Sequence, residues 1–258
     1  MTVEPIAGER ALWIGPRASG RIAAGDLHIG IEEELERRGF RVPDQTGRTL
    51  ERLKDLVEAH GPKELILLGD VKHQVPFTER YEARKVSMLL EELCALVPVT
   101  VVAGNHDGRL SDIAPEGVRI VGSLVAGDVG FIHGHSWPPE KLMRCKTLVM
   151  AHTHPSVLLL DECGRAVTEP CWLRAPFSKR KAAERYKPPF PELIVMPAFG
   201  ELRSGYPVNE RGGRLIGPLL RSGLVNLQAA RVYLLDGTFL GRVRDLNISG
   251  RTPRGVRN

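Results

Sequence analysis

Several features that would place the chain in a large class of proteins are missing from it. No apolar run approaches the roughly 20 residues that span a bilayer; Ser156-Val157-Leu158-Leu159-Leu160 is typical of the longest. The stretch Met1 to Glu9 carries two acids and lacks the basic-then-apolar pattern of a secretory signal. A soluble, cytoplasmic protein with no membrane partner is therefore expected. Cysteine is scarce: Cys94, Cys145, Cys163 and Cys171 form no Cys-x-x-Cys pair, which argues against a zinc ribbon and fits reduced thiols. Cys163 and Cys171 flank a predicted hairpin, so a disulfide between them is the alternative. There is no internal repeat, and 42% hydrophobic with 26% charged residues excludes disorder or a coiled coil for the body of the chain.

The 258 residues are enough to bury a sizeable core. No composition shift marks a second domain, so one domain over 1–248 is expected, with 174–230 as a small cap or loop-rich extension. Residues 249–258, holding three arginines among Gly, Pro and Thr, read as a mobile tail. The net charge of +5 and pI near 9.2 lean towards an acidic partner, nucleic acid foremost.

Periodicity supplies an α/β order. Ala11 to Ile14 and Arg21 to Ala24 read as strands, followed by a charged segment from Ile31 to Gly39. A helix then carries Leu50, Leu53, Leu56 and Val57 on one face and stops at His60-Gly61-Pro62. Strand Leu65 to Leu68 precedes a second helix, about Thr78 to Val97, whose buried stripe is Val86, Leu89, Leu90, Leu93, Leu96 and Val97. After Pro98 comes strand Val99 to Ala103. This order predicts a largely parallel sheet with its site at the carboxyl ends of the strands. Beyond it, short strands at Val118 to Val121, Ser123 to Ala126, Val129 to Ile132 and Thr147 to Met150 predict a mixed second sheet. Hairpins follow at Val157 to Leu173 and around Asp236-Gly237. Ser178 to Pro189, rich in Lys and Arg with Tyr186 among them, reads as a surface loop that is either solvated or follows a nucleic-acid backbone.

Seven of the eight histidines (His28, His73, His106, His133, His135, His152, His154) fall in short Gly- or Asp-flanked segments just after apolar runs, with Asp26, Asp70 and Asn105 in equivalent places. Carboxylate, neutral imidazole and amide oxygen together suit Mn, Fe, Zn or Co rather than Mg or Ca. More than six candidate ligands imply two ions. One carboxylate must then bridge them, and Asp70 is the candidate because its strand should lie beside that of Asp26.

Taken in order, Asp26-x-His28, Gly69-Asp70-x-x-His73, Gly104-Asn105-His106-Asp107, His133-Gly134-His135 and Ala151-His152-Thr153-His154 resemble the five motifs of the calcineurin-like metallophosphoesterase superfamily. Asp-Leu-His-Ile-Gly, Gly-Asp-Val-Lys-His and Phe-Ile-His-Gly-His-Ser-Trp-Pro resemble in particular the archaeal proteins related to the SbcD nuclease and their bacterial ligase-associated cousins. The resemblance implies a two-sheet α/β sandwich flanked by helices. It implies two divalent transition metals, Mn foremost with Fe, Zn, Co or Ni as alternatives. One would be held by Asp26, His28, Asp70 and His154, the other by Asp70, Asn105, His133 and His152. His106 would protonate the leaving oxygen, Asp107 would orient its imidazole, and Gly104 would give the turn.

Around these, His73 reads as a substrate-phosphate, outer-shell or structural residue, and His135 as either a site residue or a bystander. Arg109 reads as a phosphate clamp or a salt-bridge partner. Ala151, where the superfamily has Gly, implies a position that does not need positive φ. The implied activity is a phosphodiesterase acting on nucleic acid, DNA foremost, and on single strands or flaps rather than duplex ends, with a helicase or ligase of a repair system as the partner the resemblance implies. A small-molecule phosphatase or cyclic-nucleotide phosphodiesterase is the alternative. A non-catalytic scaffold is a third reading, opposed by the presence of His106.

Overall fold

In the computed structural model, which describes residues 1–202, 205–210 and 216–246, the chain folds as two mixed β-sheets packed face to face with helices outside. The expected tail at 249–258 lies outside the described residues. The elements, in chain order, are β1 (Val3–Pro5), β2 (Ala11–Ile14), β3 (Arg21–Ala24), α1 (Ile31–Arg37), α2 (Thr46–His60), β4 (Leu65–Leu67), α3 (Arg80–Cys94), β5 (Val99–Val102), β6 (Arg119–Val121), β7 (Leu124–Ala126) and β8 (Val129–Ile132). They continue with α4 (Glu140–Met143), β9 (Thr147–Met150), β10 (Pro155–Leu160), β11 (Ala166–Pro170), β12 (Trp172–Pro176), α5 (Lys179–Ala183), β13 (Glu192–Val195), β14 (Tyr206–Pro207), α6 (Pro218–Arg221), β15 (Arg231–Tyr233) and β16 (Phe239–Arg242).

The first sheet has the order β1-β2-β3-β4-β5-β6, and β3 to β6 run parallel. The second has the order β16-β15-β12-β13-β9-β8-β7, with β8, β9 and β13 parallel at its centre. A small third sheet joins β10 to β11 and β14. Within 174–230, the stretch proposed as a cap or loop-rich extension, β13 is a central strand of the second sheet. The basic segment proposed as a loop contains α5. Among the described residues no helix is long and apolar enough to cross a membrane.

Strand alternation distributes the apolar residues between layers. Ile66 and Leu68 face the second sheet, where Phe131, Val149, Trp172 and Ile194 meet them. Leu65 and Leu67 face outward onto Leu53 of α2 and Leu89, Leu90 and Leu93 of α3. The second sheet likewise turns Leu148, Met150, Leu173 and Val195 outward beneath Leu142, Ala182, Leu219 and Leu220. Helix α2 ends where Gly61 takes a left-handed φ of 55° and its amide caps the Val57 carbonyl. Helix α3 is shorter than its periodicity predicts, and Leu96, expected on the buried stripe, lies beyond its end and is 46% exposed. The four cysteines are free, so Cys163 and Cys171 do not pair.

The charged segment after β3 forms α1, which the sequence left without a structure. Glu32 on its inner face is buried against Lys85 of α3, with Oε1 2.6 Å from Nζ and side-chain exposures of 5% and 8%. Lys85 also reaches Asp44 and lies over the Tyr81 ring. Removing one partner of such a pair strands a buried charge, at a cost of about 3–5 kcal/mol. Lys85→Met is therefore expected to lower the unfolding free energy by that amount in a denaturant titration. Lys85→Met combined with Glu32→Leu should recover most of the loss, and equal instability of the single and double variants would contradict the assignment.

Candidate metal centre

The site is built where parallel strands of both sheets stop side by side. Beyond β3 and β4 the ladder continues into the loops: the amides of Asp26, His28 and Ile29 donate to the carbonyls of Gly69, Asp70 and Val71 at 2.9, 2.8 and 2.9 Å. These bonds hold Asp26, His28 and Asp70 at left-handed φ values of 57°, 50° and 48°; His152 and His154, after β9, sit at 68° and 46°. Left-handed backbone costs a non-glycine residue about 1–3 kcal/mol, and Asp and His tolerate it better than branched residues. Five of the seven predicted ligands thus share a strained conformation that turns their side chains into one space. Ala151 is absent from the left-handed set, as its replacement of glycine implied.

Two glycines make room for these groups. A Cβ on Gly69 would lie 2.1 Å from the His133 ring, and Gly69 also needs its φ of 76°. A Cβ on Gly104 would lie 2.2 Å from Asp70 Oδ1. Gly104 has no positive φ; its carbonyl accepts from the Asp107 amide at 3.3 Å and so opens the expected turn, while its missing Cβ makes room for Asp70.

The ligand atoms fall into groups whose members lie within 4.8 Å of one another: Asp26, His28 and His154; Asp70, His133 and His152; and His28, His73 and His106. Asp70 stands between the first two, its Oδ2 3.7 Å from His28 Nε2 and 3.3 Å from His133 Nε2. His133 Nδ1 lies 3.2 Å from the Leu68 carbonyl, a bond that puts a proton on Nδ1 and leaves Nε2 facing the site. The other oxygens anchor backbone: Asp26 Oδ2 accepts from the His152 amide and Asp70 Oδ1 from the His106 amide, both at 2.9 Å. Asp26 Oδ1 and His154 Nε2 are fully buried without a hydrogen-bond partner among the described residues. His154 Nε2 lies 3.2 Å from Asp26 Oδ2, and Asp26 Oδ1 3.7 Å from His133 Nδ1; a buried nitrogen and carboxylate set with such orphaned atoms fits a divalent transition metal.

Charge follows the same geometry. Burial alone would raise both carboxylates, yet Asp26 is held low by His154, His133 and His28. Asp70 is held far below the usual carboxylate range by the bond and charge of His133, with His28 and the His106 amide adding to it. Burial opposes charge on His133, but Asp70 and Asp26 outweigh it and push the imidazole up to about 9. His152, half-buried and beside the charged His133, is pulled down to about 4 by that partial burial and by His133.

The remaining predicted residues divide. His106 is partly buried, with Nε2 4.0 Å from Asp70 Oδ2 and Nδ1 against the His73 carbonyl. Asp107 does not orient that ring. Its buried carboxylate accepts from the amides of Val71 at 2.8 Å, Lys72 at 3.3 Å and Gly104 at 2.8 Å, tying the loops after β4 and β5 together. These backbone donors satisfy both oxygens, and the His73 carbonyl takes the role assigned to Asp107. Asn105 lies exposed on the same loop. His73 is buried, its Nδ1 3.3 Å from His28 Nδ1 and its Nε2 2.5 Å from Glu34 Oε2. Arg109 is held at 2.8 Å by Asp112 at the surface, the salt-bridge alternative. His135 is exposed, its ring 5.4 Å from that of His133 and outside the close groups. Glu82 was not foreseen: buried, it accepts from the His73 and Gln74 amides at 2.6 and 2.8 Å and fixes the loop after β4. Its place on the polar side of a predicted helix gave no sign of this.

A family model described as calcineurin-like phosphoesterase matches residues 22–190. Among solved structures, the nuclease MPE of Pseudomonas putida is 21% identical, covering 91% of this chain and 98% of its own at a TM-score of 0.55, a likeness of fold. YfcE, a phosphoesterase from E. coli, is 18% identical over 86% of this chain and 97% of its own at a TM-score of 0.40. No curated protein matches the chain.

The raised value of His133 has a measurable sign. Its pKa is raised from 6.5 to about 9, so without metal its charged interaction with Asp70 adds stability below about pH 6.5, and this is lost as pH rises through about 9. A metal requires the neutral ring, so binding at pH 7.5 must expel that proton. Calorimetric titration with Mn in buffers of different ionisation enthalpy is expected to show proton release at pH 7.5 that vanishes above about pH 10. Uptake at pH 7.5, or no net transfer, would contradict the protonation pattern.

Proposed function

The chain belongs to the calcineurin-like phosphoesterase family, and from that premise we propose that it is a metal-dependent phosphodiesterase that cleaves nucleic acid, in the first place single-stranded or flap DNA. The observation that carries the reading is the convergence of two ligand groups with Asp70 between them. Asp26, His28, Asp70 and His154 would hold one ion, and Asp70, Asn105, His133 and His152 the other, with Mn the first choice for this donor set. Bound there, a pair of ions supplies positive charge to the phosphoester and lowers the pKa of an attacking water.

The chain's own residues supply the rest. With Nδ1 committed to the His73 carbonyl, His106 presents Nε2 to the site, where in its protonated form it donates to the leaving oxygen. Asp107 keeps the loops carrying Asp70 and Asn105 in register. Support for nucleic acid as the substrate comes from the net charge of +5 and from the wording of the motifs. Cytoplasmic repair beside a helicase or ligase is the setting that fits such an enzyme.

The test offers the Mn-loaded protein single-stranded, duplex and flap DNA, RNA, and small phosphomono- and diesters. Cleavage of single-stranded or flap DNA is expected, and His106→Ala should lower kcat by roughly 10²–10⁴-fold with metal content unchanged. Asp70→Ala should lose both ions, while Asn105→Ala weakens mainly one. Turnover confined to small esters would replace the nuclease reading by a small-molecule phosphatase or cyclic-nucleotide phosphodiesterase. A full metal complement in the Asp70 variant would overturn the ligand scheme.

A further inference from the structure

A cavity of about 970 Å³ opens at the end of the second sheet away from the metal centre. Its position follows from register: β9 and β13 run parallel, with Thr147 beside Glu192 at their starts and Met150 beside Val195 at their ends. Glu192 lines the cavity, whereas His152 follows the far end of β9. Five residues of extended chain from Thr147 to His152 put roughly 16 Å between the two places.

The floor is apolar. Phe177, buried, stacks with Phe190 at 6.1 Å between ring centroids and 28° between planes, and Pro188, Pro189 and Pro191 continue the surface. The rim is cationic: Arg174, Lys179, Arg231 and Arg242 face a single carboxylate, Glu192. That carboxylate is already shared by Arg174 at 2.9 Å and Arg231 at 2.5 Å. Lys179 and Arg242 are exposed and have no ion-pair partner among the described residues. Helix α5 also carries the exposed Arg180 and Lys181 next to Lys179 in sequence, and the exposed Lys187 follows four residues after Ala183. The tyrosine of this basic segment takes no part: Tyr186 is buried and its hydroxyl donates to the Pro138 carbonyl at 2.8 Å.

We propose that this cavity and the basic face of α5 form an accessory binding site for single-stranded nucleic acid. Unpaired bases have flat apolar faces that suit an aromatic and proline floor, and the phosphates between them suit unpaired cations at its rim. A simple anion would leave the floor unused, and the bases of a duplex are not free to enter a concave pocket. Binding here shares with the proposed function only its ligand; it requires neither metal nor hydrolysis. In the working enzyme it would hold one part of a strand while another part lies at the metal centre.

Fluorescence anisotropy tests this with a labelled single strand of about 12 nucleotides and metal-free protein in chelator, across roughly 50–200 mM salt. Lys179→Ala with Arg242→Ala removes two exposed side chains, so folding should be retained. The double variant is expected to bind about tenfold more weakly, and its slope of log K against log salt should be shallower by about 1.4, the share of two phosphates on a single strand. Phe190→Ala is expected to lose about fivefold or more through stacking while keeping the slope. Hydrolysis of bis(p-nitrophenyl) phosphate by the Mn-loaded double variant should equal that of the parent.

Unchanged affinity and slope in the double variant would overturn the site and leave the nuclease reading standing. Weakened binding by a protein that cleaves no nucleic acid would uphold the site and remove that reading. Loss of binding to phosphatidylserine vesicles with no loss for the oligonucleotide would also overturn it, by showing that the cations serve a membrane surface.

Discussion

Asp26 and Asp70 remain ionised while buried, and much of the surrounding architecture follows from that. A carboxylate removed from water keeps its charge only if donors and positive groups replace the solvent. Here the replacement is a shell of imidazoles with two backbone amides, those of His106 and His152. Protons on His133 balance the carboxylates in the metal-free protein, and cations of higher charge would do so more completely. The same electrostatic demand explains why so many histidines gather at one place and why His152, second to His133, is kept neutral.

Such a shell needs a rigid frame. In the first sheet the parallel pair β3 and β4 brings Ala24 beside Leu67, so the loops bearing Asp26 and Asp70 leave side by side. In the second, the parallel pair β8 and β9 brings Ile132 beside Met150 and delivers His133 with His152. The two pairs meet because Ile66, Leu68, Phe131 and Val149 pack between the sheets directly beneath. The left-handed backbone of five ligand residues persists because the ladder bonds beyond the strand ends over-determine it. Packing therefore offsets the strain, and the strain aims the side chains.

Much of this was legible in the sequence, because an apolar run that stops on Gly, Asp or His states both a strand and what its end carries. The five motifs held the His and Asp side chains whose candidate ligand atoms converge, and the alternation of strand and helix located the first sheet. What stayed hidden depends on contacts distant in sequence. Glu32 made α1 read as no more than a charged segment, since its partner Lys85 lies three elements on, in α3. Asp107 looked like an orienter of its neighbour His106, but a short carboxylate accepts more readily from the amides turned towards it, which belong to Gly104, Val71 and Lys72. Gly104 was legible as a turn residue, and only the position of Asp70 shows that it also makes space. In the basic segment, Ala182 and Tyr186 were too few to announce a helix, although both are buried against the outer face of the second sheet.

In the proposed ligand scheme Asp70 joins two ions in one site. Anomalous diffraction from crystals grown with Mn, recorded at the Mn absorption edge, tests it most directly. Two peaks are expected roughly 3.5–4 Å apart with Asp70 between them, one beside Asp26, His28 and His154 and the other beside His133 and His152. A single peak, or two peaks that do not share Asp70, would contradict it.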